Sequence, residues 1–114
     1  MTLLQQKRFI EVKSRLGVRN CNFLTQHYES VIKEAIDKDI LASYVKLNAW
    51  KSGLSREFLA IRDRIYDGKP PAYDWNLSLM YLWITYELGY SCKVIPPDNS
   101  KYHGAVIVDL VKKL

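Results

Sequence analysis

Three features of the sequence predict a mostly helical α+β domain, with four to five helices packed around a buried central helix and an antiparallel β-hairpin at the C-terminus. The first is the stretch Tyr73–Tyr90, the most apolar and aromatic part of the chain. The second is the run of amphipathic stripes that precedes it. The third is the switch, after Gly89, to β-branched runs separated by a turn-rich loop. A length of 114 residues suits a single domain spanning 1–114 and can bury a core without staples.

Taken in order, Thr2 and Gln5 form a capping-box pattern and Gly17 ends the first helix. Phe9, Val12 and Leu16 share its inner face, while Lys7, Arg8 and Arg15 point elsewhere. Val18–Asn22 is read as a short connection. A second helix, from about Phe23 to Asp37, carries the stripe Leu24, Tyr28, Val31, Ile32, Ala35 and Ile36. The phase breaks at Asp37-Lys38-Asp39. Ile40, Leu41, Tyr44 and Val45 form a new stripe, so Asp39 is expected to cap a third helix reaching about Trp50. Lys51-Ser52-Gly53 stops it. Ser55 caps a fourth helix whose inner face is Leu54, Phe58, Ile61 and Ile65, with Leu54 and Leu59 as a hydrophobic staple. Gly68 and Lys69-Pro70-Pro71 end that helix.

The central helix covers about 74–88. Asp74 caps its start, and Gly89 closes it in a left-handed C-cap. Its polar residues are Asn76, Ser78, Thr85 and Glu87, so most of its sides require cover. The uninterrupted apolar run is far short of the roughly 20 residues that span a bilayer. Beyond Gly89, Ser91–Ile95 and Ala105–Val108 are read as hairpin strands around the loop Pro96–Lys101. Ala105–Val108 is apolar at consecutive positions, which suggests cover on both faces. Exposed hairpin edges would allow a homodimer.

Charge is uneven. The chain carries +5 overall, with +4 in residues 1–20, −2 in 21–39, +3 in 40–71 and a balanced remainder. Two basic segments flanking an acidic one fit an acidic partner, either nucleic acid or a protein surface. Aromatic residues beside cations around the Pro-Pro turn (Tyr66, Lys69, Tyr73 and Trp75) suit an interface or the stacking of bases. The N-terminus is charged, unlike a signal peptide, and a cytoplasmic location is expected. Cys21 and Cys92 lie in no CxxC or Cys/His cluster, so neither a zinc site nor a disulfide is expected. No metal ligand set, phosphate loop or cofactor motif is present.

Two resemblances to known families add expectations. Gly53-Leu54-Ser55, Gly68-Lys69-Pro70-Pro71 and Ile84-Thr85-Tyr86-Glu87-Leu88-Gly89 resemble pieces of the Cro/repressor-like helix-turn-helix family. That resemblance implies a sequence-specific DNA-binding regulator with Arg56, Glu57 and Arg62 at the start of a recognition helix. The helix ending Leu88-Gly89-Tyr90, the strand Cys92–Ile95 and Tyr102-His103-Gly104-Ala105-Val106 look like the layout of transglutaminase-like cysteine proteases. Those enzymes place a nucleophilic Cys near the helix start, where this chain has Trp75-Asn76-Leu77-Ser78. A cysteine enzyme would instead rest on Cys92 and His103, with Asp109.

The main expectation is a small non-enzymatic binding module of the inhibitor or adaptor type. It would dock a basic, aromatic surface on nucleic acid or on a nucleic-acid-handling protein. The candidate residues are Lys7, Arg8, Arg15, Arg56, Arg62, Arg64, Tyr66, Lys69, Tyr73 and Trp75, with no membrane and no cofactor involved.

Overall fold

The computed structural model describes residues 3–54, 58–66, 75–98 and 103–113, with the backbone alone at 59, 66, 112 and 113. The expected caps Thr2, Ser55 and Asp74 lie outside the described residues. The first helix, α1, runs from Leu3 to Lys38 and bends at Gly17, whose φ of 79° and ψ of 166° are non-helical. Glycine reaches such a φ without the Cβ clash that other residues meet. Phe9, Val12 and Leu16 line the buried face before the bend; Leu24, Tyr28 and Ile32 line it afterwards. The connection expected at 18–22 is absent, because helix resumes at once. Side-chain donors serve two carbonyls beside the bend: Asn20 Nδ2 donates to Leu16 O at 2.9 Å, and Cys21 Sγ to Lys13 O at 3.6 Å.

The expected third helix is corrected. After Lys38 the chain turns, with Ala42 N–H donating to Asp39 O at 3.1 Å and Leu41 N–H to Asp39 Oδ1 at 3.3 Å. Asp39 therefore serves a turn. Strand β1 follows at Tyr44–Asn48, and the helix α2 occupies only Ala49–Ser52. The physical reason is a period of two: Val45 and Leu47 are buried, whereas Tyr44 and Lys46 are exposed. Ile40 and Leu41, which looked like helical core positions, are 78% and 90% exposed.

The C-terminal hairpin is present as β2 (Tyr90–Ile95) and β3 (Ala105–Lys113). The sheet has the order β1-β3-β2, both pairs antiparallel. β3 is the central strand, and of its consecutive apolar residues Ala105, Val106 and Val108 are buried while Ile107 is half-buried. One edge of the hairpin, that of β3, is occupied by β1. Val45, Leu47, Val106 and Val108 face the helices and are buried.

The central helix is present as α4 (Trp75–Leu82) continued by a π-helical segment at Trp83–Glu87. Leu77, Leu79, Met80, Trp83, Ile84 and Thr85 are buried along it, as its nearly all-round apolar composition requires. Trp83 is the hub. Its ring meets Phe9 edge-on at 5.2 Å, and its Nε1–H donates to Thr25 Oγ1 at 3.0 Å. Helix α3 (Leu59–Tyr66) closes the core with Ile61 and Ile65, joined by Leu54; Phe58 is half-buried and packs on Phe23 at 4.6 Å.

Candidate binding surfaces

The predicted basic residues separate into distinct roles. Lys7 and Arg8 are exposed on the outer side of α1. Arg15 lies on α1 as well, but its Nη1 donates to Ile65 O at 3.0 Å, in the last turn of α3, where carbonyls lack helical partners and a cation is favoured. Arg64, the preceding residue of α3, is exposed. Arg62 is turned to Asp63, with Nε and Nη2 both 3.3 Å from Oδ1. Trp75 is half-buried against the core. Arg56, Lys69 and Tyr73 lie outside the described residues, as does the side chain of Tyr66.

Lys13, one of the N-terminal cations, is structural. Its Nζ sits 2.8 Å from Glu87 Oε2 and 5.5 Å from the Phe9 ring centroid, tying α1 to the π-helical segment. Aliphatic side chains share the outer side of α1 with Lys7 and Arg8: Leu3, Leu4, Ile10 and Val18 are all exposed. At 3.6 residues per turn, Leu3, Lys7, Ile10 and Ser14 fall along one outward strip, with Leu4, Arg8 and Glu11 beside it. The outer side of α1 is thus cationic and apolar at once.

A second surface was not legible from the sequence. Helices cover one face of the sheet. Residues of the opposite face stand in cross-strand rows: Tyr44–Asp109–Ser91, Lys46–Ile107–Lys93 and Asn48–Ala105–Ile95. β1 ends at Asn48, but one further backbone bond follows: the Ala49 N–H donates to Gly104 O at 3.0 Å, which brings Trp50, in α2, beside His103. Their rings stack with centroids 4.8 Å apart and planes 19° apart, while Trp50 remains 68% exposed. Tyr44, at the other end of the face, is 60% exposed, and Lys46, Lys51 and Lys93 are exposed. A groove of about 490 Å³ runs between β1 and the C-terminal half of α1, but Glu34, Lys38, Asp39 and Lys51 give it mixed charge.

Among the described residues, neither family resemblance is assembled. The helix expected before Gly53 is largely a strand. Gly53 itself marks a close approach: a Cβ there would collide with the side chain of Asn76. Asn76 clamps the following residue, accepting from Leu54 N–H at 3.0 Å and donating to Leu54 O at 3.4 Å. Cys92 stands opposite Val108 on the covered face, whereas Asp109 falls in a row of the open one and His103, ahead of β3, stacks on Trp50. Burial pushes the Cys92 thiol above its ordinary range, with the Thr85 hydroxyl opposing that shift. An activated thiolate needs the opposite shift. Burial likewise raises Cys21, although Lys13 acts against it. Among the described residues, no group of three His, Cys, Asp or Glu side chains is placed to hold a metal, and no helix is long and apolar enough to cross a membrane.

Compared with protein-family models, with curated proteins and with solved structures, the chain matches none.

Proposed function

We propose that this chain is a non-enzymatic binding module of the inhibitor or adaptor type, which docks the outer side of α1 on an acidic protein surface. The supporting observation is the interleaving of exposed Leu3, Leu4, Ile10 and Val18 with exposed Lys7 and Arg8 on that side. Cations steer association and set the register; apolar groups supply the area removed from water. A phosphate backbone would satisfy Lys7 and Arg8 but offers Leu3 and Ile10 nothing to bury against, which favours a protein partner. The DNA-regulator reading draws less support, because Arg62 is engaged by Asp63 and a four-residue helix precedes Gly53.

Affinity capture from lysate, with nuclease added, tests this. One stoichiometric protein should remain after nuclease and be released by moderately raised salt. The exposed-site changes Lys7→Glu with Arg8→Glu, and separately Leu4→Ser with Ile10→Ser, should each abolish the capture without unfolding the chain. Recovery of nucleic acid alone, or capture indifferent to both pairs of changes, would contradict the proposal.

A further inference from the structure

We infer that the open face of the sheet is a second binding site, which takes single-stranded nucleic acid by stacking bases on Trp50 and Tyr44 and holding phosphates on the lysines between and beside them. This inference is independent of the role proposed for α1, since it concerns the other layer of the fold.

The site is built by the sheet. Alternation along β1 sends Tyr44, Lys46 and Asn48 to the open face, and Trp50 follows just past the strand end, in α2, where its ring stacks on His103. His103 backs one face of the indole, fixing its plane and leaving the other face to solvent. A large aromatic residue held flat and mostly exposed is uncommon on a surface with no partner. Between the two aromatic ends, Lys46 and Lys93 are exposed and flank the half-buried Ile107 in one cross-strand row. Lys51 adds a third beside Trp50. Asp109 is the acid of this face, and its Oδ1 accepts from Val111 N–H at 2.9 Å.

Chemistry selects the occupant. Flat rings alternating with ammonium groups match unstacked bases alternating with phosphates. A duplex hides its base faces in its own stack, and a protein surface would call for the exposed aliphatics that α1 carries. From Tyr44 to Asn48 the strand alone covers about 13 Å, and Trp50 extends beyond it, which gives room for several nucleotides. Sequence preference should be weak, because stacking accepts any base.

The test is fluorescence anisotropy at low salt with a labelled oligodeoxythymidine of about ten nucleotides. The wild-type chain should bind it, and bind a duplex of similar length more weakly. Trp50→Ala should weaken binding by about 5- to 150-fold, the range for loss of one stacked base, while Trp50→Phe keeps most of it. Lys93→Glu should weaken binding and flatten the plot of log affinity against log salt by about 0.7, the single-strand value for one phosphate contact. The pair Lys7→Glu and Arg8→Glu should leave it nearly unchanged. Should Trp50→Ala perturb the fold by circular dichroism, His103→Ala, which frees the indole plane, carries the same expectation in milder form. No binding at low salt would overturn the inference. So would binding that neither Trp50→Ala nor His103→Ala alters, because it would then rest on net charge alone.

Discussion

The outer side of α1 and the open face of the sheet are both basic, yet they are basic in different company. On α1, cations alternate with aliphatic side chains on the outer side of a helix that bends at Gly17. On the sheet, cations stand between aromatic rings held in a flat ladder. The first mixture suits a protein surface with acidic and apolar ground; the second suits bases and phosphates. Net charge alone, +5 for the whole chain, could not distinguish them. What distinguishes them is the neighbour of each lysine, and that neighbour is fixed by helix periodicity in one case and by strand register in the other.

Changes to the shared core should destroy the comparison altogether. Trp83 is fully buried and bonded to Thr25. Trp83→Ala should cost about 3–5 kcal/mol in chemical denaturation, and both surfaces should fail together. A smaller change should touch one side only. At Gly17 a Cβ meets no atom within 4 Å, so Gly17→Ala should act through backbone strain of about 1–2 kcal/mol. If the bend relaxes, Leu3 and Ile10 shift relative to Val18, and partner capture should weaken while oligonucleotide binding persists. Trp50→Ala sits at the mild end. Its indole is mostly exposed, so stability should move by no more than about 0.5 kcal/mol while stacking is lost.

The covered face of the sheet has its own signature. In the fold, the thiols of Cys92 and Cys21 hold their protons above the pH at which they leave in the unfolded chain, chiefly because of burial. The folded state then binds more protons than the unfolded state in that range, so stability is full at neutral pH and falls as pH rises through and beyond the ordinary thiol range. Cys92→Ala should remove part of that alkaline loss in denaturation curves measured across the range. Both thiols should react slowly with alkylating reagents at neutral pH.

Much of the helical half was legible because its signals are local. Phe9, Val12 and Leu16, then Leu24, Tyr28 and Ile32, repeat at helical spacing; the apolar run after Trp75 requires cover on all sides; and Gly89, with φ of 80°, takes the left-handed conformation expected at that helix end. The strand β1 was not legible, because its partner lies some sixty residues away and its flanking Ile40 and Leu41 imitate a helical stripe. One signal did point to it: Tyr44–Asn48 alternates by polarity. The open-face site depends wholly on that missed register. Trp50 and His103 are each visible in the sequence, but only the ladder that pairs Tyr44 with Asp109 brings them together. Conversely, Arg15 and Arg62 looked available for a partner and are engaged by Ile65 O and Asp63. A sequence shows the charge of a side chain without its nearest acceptor.

The most direct test crosses the two surfaces. Capture of the nuclease-resistant protein and binding of the oligodeoxythymidine would be measured side by side for the wild-type chain, for Lys7→Glu with Arg8→Glu, and for Trp50→Ala. Two separate surfaces predict that the charge reversal on α1 abolishes protein capture and spares oligonucleotide binding, while Trp50→Ala does the opposite. A variant that remained folded yet lowered both activities to the same extent would contradict that separation.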